Sequence, residues 1–197
     1  MTFKKYVLAA AVMAVMSGSA MADQVANGHI TFHGAVNANT CEVTMVGTDV
    51  TQNGADFDVG LRSVDKVDVD GLTLNDASSY LEKTPFSMNV KCAAPQSGAT
   101  EKVSVQFDTF GGSTTNAQGF LFPGANVANI AQDVGYVLLN ADDSQIKVNQ
   151  PGNNTQKQAL DANGAAQLDY NVAYVRTGDA VTSGKVIAQV GYTMTYE

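Results

Sequence analysis

An all-β sandwich is the fold this sequence predicts, and three observations predict it. From residue 28 onward the apolar residues recur with period two, the spacing of half-buried strands and not of helices. Turn-forming dipeptides punctuate the runs: Asn53-Gly54, Asp70-Gly71, Gly111-Gly112, Pro151-Gly152 and Asn163-Gly164. No long amphipathic stretch of helical spacing interrupts them. Many short strands between such turns bury their apolar faces by packing sheet on sheet.

Ahead of the first strand, residues 1–22 read as an export signal. Lys4 and Lys5 form a basic opening, Tyr6 to Met16 an 11-residue apolar run, and Ala20-Met21-Ala22 a small-x-small cut before Asp23. Eleven apolar residues fall far short of the roughly 20 that a spanning helix needs. Cleavage leaves residues 23–197, a chain of 175 residues, sufficient for one well-cored domain. Loss of the two lysines takes the formal charge from −8 to −10. The acidic residues are dispersed and no basic patch exists, so nucleic acid is not an expected partner.

The strands follow in order. GHITFHGAV (28–36) puts Ile30, Phe32, Gly34 and Val36 on one parity and His29, Thr31, His33 and Ala35 on the other. Next come CEVTMV (41–46), DFDVGL (56–61), DKVDVDGL (65–72), PFSMNVKC (85–92), EKVSVQFDTF (101–110), GYVLLN (135–140) and AQLDYNVAYVR (166–176). The chain closes on KVIAQVGYTMTYE (185–197), where Val186, Ala188, Val190, Tyr192, Met194 and Tyr196 share one parity. Between these, NDASSYLEK (75–83) has the composition of a short helical turn capped by Asp76. Residues 112–132, rich in Asn, Gly and Ala, read as a surface excursion between strands.

Groups that could carry chemistry do not converge. His29 and His33 are the only histidines, and on one strand they would stand about 13 Å apart, too far to share a metal ion. VDKVDVDG (64–71) fails the calcium-loop template, with Lys66 at its first ligand position and Ala77 where the final Glu belongs; a charged edge strand is the expectation there. Asn153-Asn154-Thr155 matches a glycosylation sequon, a three-residue pattern of low specificity. Neither a catalytic site, nor a metal, nor a cofactor is expected. Cys41 and Cys92 are the only cysteines, and in an oxidising compartment an isolated pair is most simply one disulfide.

The ordered combination is more specific than any part. An export signal precedes GHITFHGAVNANTC (28–41), a second Cys lies about 50 residues on, and YNVAYVRTG (170–178) precedes a terminal strand ending Tyr196-Glu197. This resembles the subunits of chaperone–usher fimbriae, the type 1 pilin-like family, with I-T-F-x-G-x-V closest to the F17-like branch. The resemblance implies an immunoglobulin-like sandwich that lacks its last strand and is completed by donor-strand exchange. It divides the chain into a signal peptide (1–22), a donor-strand extension (23–36) and a pilin domain (37–197). Ile30, Phe32, Gly34 and Val36 would fill a neighbour's groove. Val190, Tyr192, Met194 and Tyr196 would lie on the strand that receives a chaperone and then that neighbour. Cys41 and Cys92 would form the disulfide that ties the first strand to the second sheet segment.

The partners so implied are neighbouring subunits of the same kind, a periplasmic chaperone, an outer-membrane usher and a separate tip adhesin. The product would pass through the periplasm and assemble on the cell surface. A tip adhesin needs an additional lectin domain and a chain-terminating subunit lacks a donor strand, so a repeating shaft subunit is the expectation, with a minor adaptor pilin next. Two alternatives come from other classes. A self-contained periplasmic sandwich that binds a small ligand would use its N-terminal strand to complete its own sheet. An exported hydrolase would need a polar cluster that the sequence does not display.

Overall fold

The computed structural model describes residues 28–34, 41–92, 101–154 and 156–196; the export signal, Ala35 and Val36 lie outside them. Two sheets face each other. The first has the strand order β11-β6-β13-β1-β4-β3, comprising β11 (Gln158–Ala159), β6 (Lys102–Phe110), β13 (Val186–Tyr196), β1 (Gly28–Gly34), β4 (Asp56–Leu61) and β3 (Val50–Asn53). The second runs β2-β5-β12-β9-β8-β7, from β2 (Glu42–Gly47) and β5 (Leu81–Lys91) through β12 (Ala165–Arg176) and β9 (Val134–Asn140) to β8 (Leu121–Phe122) and β7 (Thr114–Thr115); β10 (Gln145–Ile146) also pairs with β9.

Alternation explains most of the core. Phe86, Met88 and Val90 of β5 and Val103, Val105 and Phe107 of β6 are buried, facing inward as the period-two pattern predicts. Tyr170 joins the two layers: its ring lies 5.2 Å from Phe107 in an edge-on contact and 5.6 Å from Phe86. Such aromatic pairs add about 0.5–1.5 kcal/mol beyond the area they bury. β9 breaks the alternation, because all of its residues are buried. Its outer side and that of β12 carry a second apolar cluster of Phe120, Val137, Leu139, Ala173 and Val175, against which Ala77, Tyr80 and Phe122 pack. Residues 112–132 therefore do more than loop across the surface. They supply β7 and β8 and put Phe120 onto that outer face.

Two local expectations are corrected. DKVDVDGL is not an edge strand: Lys66–Asp70 forms the short helix α1. Val69 N–H donates to Asp65 O at 3.2 Å, and Lys66 pairs with Asp70 one turn on. Only one of its two valines is buried, Val69 at 2 % exposure against 72 % for Val67, so the alternation had no sheet face behind it. Gly71 caps this helix instead of turning a hairpin. NDASSYLEK in turn is not helical. Asp76 Oδ1 accepts from Ser78 N–H at 2.8 Å, a local side-chain-to-backbone turn, and β5 begins at Leu81.

The disulfide is formed, with Cys41 and Cys92 Sγ atoms 2.04 Å apart. It joins the ends of two paired strands, since Glu42 and Lys91 are the adjoining register pair of β2 and β5. Close by, Asp161 closes the turn before β12. Its Oδ1 accepts from the N–H groups of Ala165 and Asn163, both at 2.8 Å, while Gly164 takes φ 75°. These bonds, that to Ala165 foremost, hold the Asp161 carboxyl below its ordinary value. A depressed carboxyl stabilises the fold above its unfolded value of about 3.9 and loses that contribution as pH falls through the folded value. On acidification below about pH 4, the amide signals of Asn163 and Ala165 are expected to move before those of β9, as an NMR titration would read. Asp161→Asn should abolish that early step.

Candidate functional site: the slot between β13 and β4

The first sheet depends on β1. β13 pairs with β6 on one side and β1 on the other, and β4 pairs with β3 and β1. Among the described residues no other ladder joins β13 to β4, so β1 occupies a slot that divides the sheet. Its register is parallel to β13, from Gly28 opposite Val186 to Gly34 opposite Tyr192, and antiparallel to β4, from Gly28 opposite Leu61 to His33 opposite Asp56.

The slot walls are apolar on their inner face. Val186, Ala188, Val190 and Tyr192 of β13 and Phe57, Val59 and Leu61 of β4 are buried. Met194 is partly buried against the same core. Tyr196 continues the strand in register with Val103 of β6. Ile30 is in register with Ala188 and Val59, Phe32 with Val190 and Phe57, and Gly34 with Tyr192. These positions of β1 therefore share a parity with the buried residues on both walls, as laterally paired residues do. His29, Thr31 and His33 share the other parity with Ile187, Gln189 and Gly191.

Polar contacts hold the walls in place. Tyr136 on the opposite sheet donates its hydroxyl to Val186 O at 2.5 Å, tying the start of β13 across the core. Burial pushes that hydroxyl well above its ordinary pKa, with Tyr174 beside it. Where β6 ends, Ser113 Oγ accepts the Gln189 N–H at 2.7 Å. The Phe57 and Tyr192 rings lie 6.0 Å apart, and Tyr192 donates to Ala55 O at 3.4 Å. Burial, followed by the nearby Asp56 carboxylate, raises the Tyr192 hydroxyl pKa. The phenols stay neutral and the site is a lined groove for a strand. Among the described residues no cluster of three or more His, Cys, Asp or Glu could hold a metal ion, and no helix is long and apolar enough to cross a membrane.

The sequence had singled out one wall's key positions, those on β13, and the apolar parity of β1. It had not singled out Phe57, Val59 and Leu61 as the other wall. The alternation of DFDVGL was visible, but which strand lies beyond β1 is a matter of long-range pairing.

The fold is thus a two-sheet sandwich with one disulfide, whose first strand lies between β13 and β4. Residues 30–197 match the family model described as "Fimbrial protein", and the chain belongs to that family of structural subunits of surface fimbriae. It is 30% identical over 188 residues to the major fimbrial subunit SMF-1 of Stenotrophomonas maltophilia (strain K279a), covering 92% of this chain and 99% of that one. It is 29% identical over 184 residues to the F17 fimbrial protein of Escherichia coli, covering 92% and 93%. Among solved structures, the type I fimbria protein BPSL1626 of Burkholderia pseudomallei overlays with a TM-score of 0.39 at 18% identity, over 87% of this chain and 96% of that one.

Proposed function

We propose that this chain is the repeating shaft subunit of an adhesive fimbria, joined head to tail by donor-strand exchange. In this reading residues 23–36 of one copy fill the slot of the next. Ile30, Phe32, Gly34 and Val36 then face inward along Val190, Tyr192, Met194 and Tyr196. A periplasmic chaperone occupies the slot beforehand, an outer-membrane usher is where exchange takes place, and receptor binding rests with a separate tip adhesin. Residues 37–197 act as the pilin domain.

One observation supports this most. Without β1 the first sheet falls into two pieces, β11-β6-β13 and β4-β3, with buried apolar walls between them. A gap of that kind exposes unpaired N–H and C=O groups beside apolar surface, which a strand from any source relieves. The strand that fits it is joined to the domain through one connector, residues 35–40. A contact between one copy's extension and another copy's slot is heterologous and does not close, so it propagates as a filament.

Phe32→Asp places a charge at the register position between Val190 and Phe57, where burying an unpaired carboxylate costs several kcal/mol. Electron microscopy of cells carrying this variant should find no filaments, while the subunit still co-purifies with its chaperone. Normal filaments would exclude the donor role.

A further inference from the structure

Two turns place Asn directly before Gly, at Asn53-Gly54 and Asn163-Gly164, and the fold treats the two pairs oppositely. In such a pair the glycine's backbone nitrogen can attack the asparagine's side-chain carbonyl, because glycine has no Cβ to crowd the five-membered ring that forms. Both pairs are followed by Ala, so their intrinsic reactivity is alike. What separates them is whether the glycine nitrogen is held and whether water reaches it.

Asn53 is the last residue of β3, Gly54 and Ala55 turn the chain, and Asp56 opens β4 opposite Asn53. The bond that closes a four-residue turn joins its first C=O to its fourth N–H, so the N–H of the second residue, here Gly54, lies outside it. Asn53 and Gly54 are both exposed, and a side chain at Gly54 would meet nothing within 4 Å. Gln52 Nε2 donates to Gly54 O at 2.9 Å, which steadies the far side of the turn and not the nitrogen.

In the second turn the same dipeptide stands two places later. Asp161 is first and Gly164 fourth, and the Gly164 N–H itself closes the turn on Asp161 O at 2.9 Å. Asp161 Oδ1 also accepts from the Asn163 and Ala165 N–H groups, and Gly164 is buried. Attack from the Gly164 nitrogen requires this clamp to open first.

We propose that Asn53 is a self-modification site, a slow chemical clock that loosens β3 from β4, and that Asn163 is its protected counterpart. The Gly54 nitrogen forms a bond to Asn53 Cγ, the Cγ–Nδ2 bond breaks, and the side-chain nitrogen leaves as ammonia with the former amide proton. Water then opens the resulting cyclic imide at either carbonyl. One product is an aspartyl link; the other is an isoaspartyl link whose main chain is one methylene longer. Both carry a new carboxylate at position 53, opposite Asp56 in the register, and like charges facing across a strand pair destabilise it. β3 ends the first sheet and pairs with β4 alone among the described residues, so nothing on its other side offsets the loss.

The test follows both positions in the purified folded chain, kept in water labelled with heavy oxygen. Peptide mass spectrometry reads the uptake, and electron-transfer fragmentation separates aspartyl from isoaspartyl products. Position 53 should take up one heavy oxygen at least about tenfold faster than position 163, the ratio to which three ordinary hydrogen bonds amount. In denaturant, where both turns are lost, the two rates should converge. Asn53→Gln should silence the first site and leave the second unchanged. In the modified fraction, hydrogen exchange should find β3 amides losing protection while β9 keeps its own. Four results would each overturn the proposal: equal rates in the folded chain, a rate ratio that persists in denaturant, a position 53 that stays intact while the denatured chain reacts, or β3 protection that modification leaves unchanged.

Discussion

A chain cut back to residues 37–197 is expected to melt tens of degrees below the same fragment supplied with a synthetic peptide of residues 23–36. Removing the strand exposes the inner edges of β13 and β4 and uncovers Val190, Tyr192, Phe57 and Val59, all of which are buried in the whole chain. Each large apolar side chain returned from water contributes roughly 1.5–3 kcal/mol, and each ladder bond about 0.5–1.5 kcal/mol. The sum over one strand is comparable with the entire stability of a domain, about 5–15 kcal/mol. At about 2–4 °C per kcal/mol for a chain of this size, the shift is large enough for any thermal melt. A fragment that is already stable, and indifferent to the peptide, would mean the slot closes without a strand and would remove the basis of donor exchange.

The second large effect belongs to the disulfide. Replacing Cys41 and Cys92 together by Ala should lower stability by roughly 4 kcal/mol, the chain-entropy value for a closed loop of about 50 residues, on a sequence separation of 51. A fall in melting temperature of about 10 °C follows. The loss should concentrate in β2, an edge strand whose ladder partner among the described residues is β5 alone. Hydrogen exchange would locate it, with β2 amides losing protection while β9 and β12 keep theirs. An unchanged melting temperature would contradict this account.

Much of the fold was legible because most strands are buried on one face. DFDVGL is a strand at the very bounds read from its alternation, and EKVSVQFDTF differs by a residue at its start. Where the pattern misled, its cause was local. In DKVDVDGL two valines two apart satisfied a strand template by accident, whereas Asp65 O and the Lys66–Asp70 pair stabilise one helical turn. In NDASSYLEK, Asp76 satisfied Ser78 and so closed a turn that no helix continues. The cover over β9 and β12 was not legible at all, because GFLFPG gives no sign of which sheet face Phe120 will meet. The slot was half legible: parity marks the inward residues of β13 and groups Ile30, Phe32 and Gly34 at the register positions beside them, but pairing direction leaves no trace in a period-two sequence. Only the register shows that β1 runs with β13 and not against it.

The position of the disulfide acquires a mechanical meaning once the subunits are links in a chain under tension. In the filament proposed above, pull on an extension would reach its domain at Cys41, the residue before β2. Without the cross-link, the load would continue into β2, whose ladder among the described residues is with β5 and would open bond by bond from the loaded end. The bond to Cys92 passes the load directly to β5, a strand paired on both sides, by β2 and by β12. Peeling of the edge strand from that end is thereby blocked by a covalent bond, and the force is spread as shear over the second sheet. In a filament joined by donor strands, the cross-link would thus sit at the point where a fimbria under flow would otherwise begin to unravel.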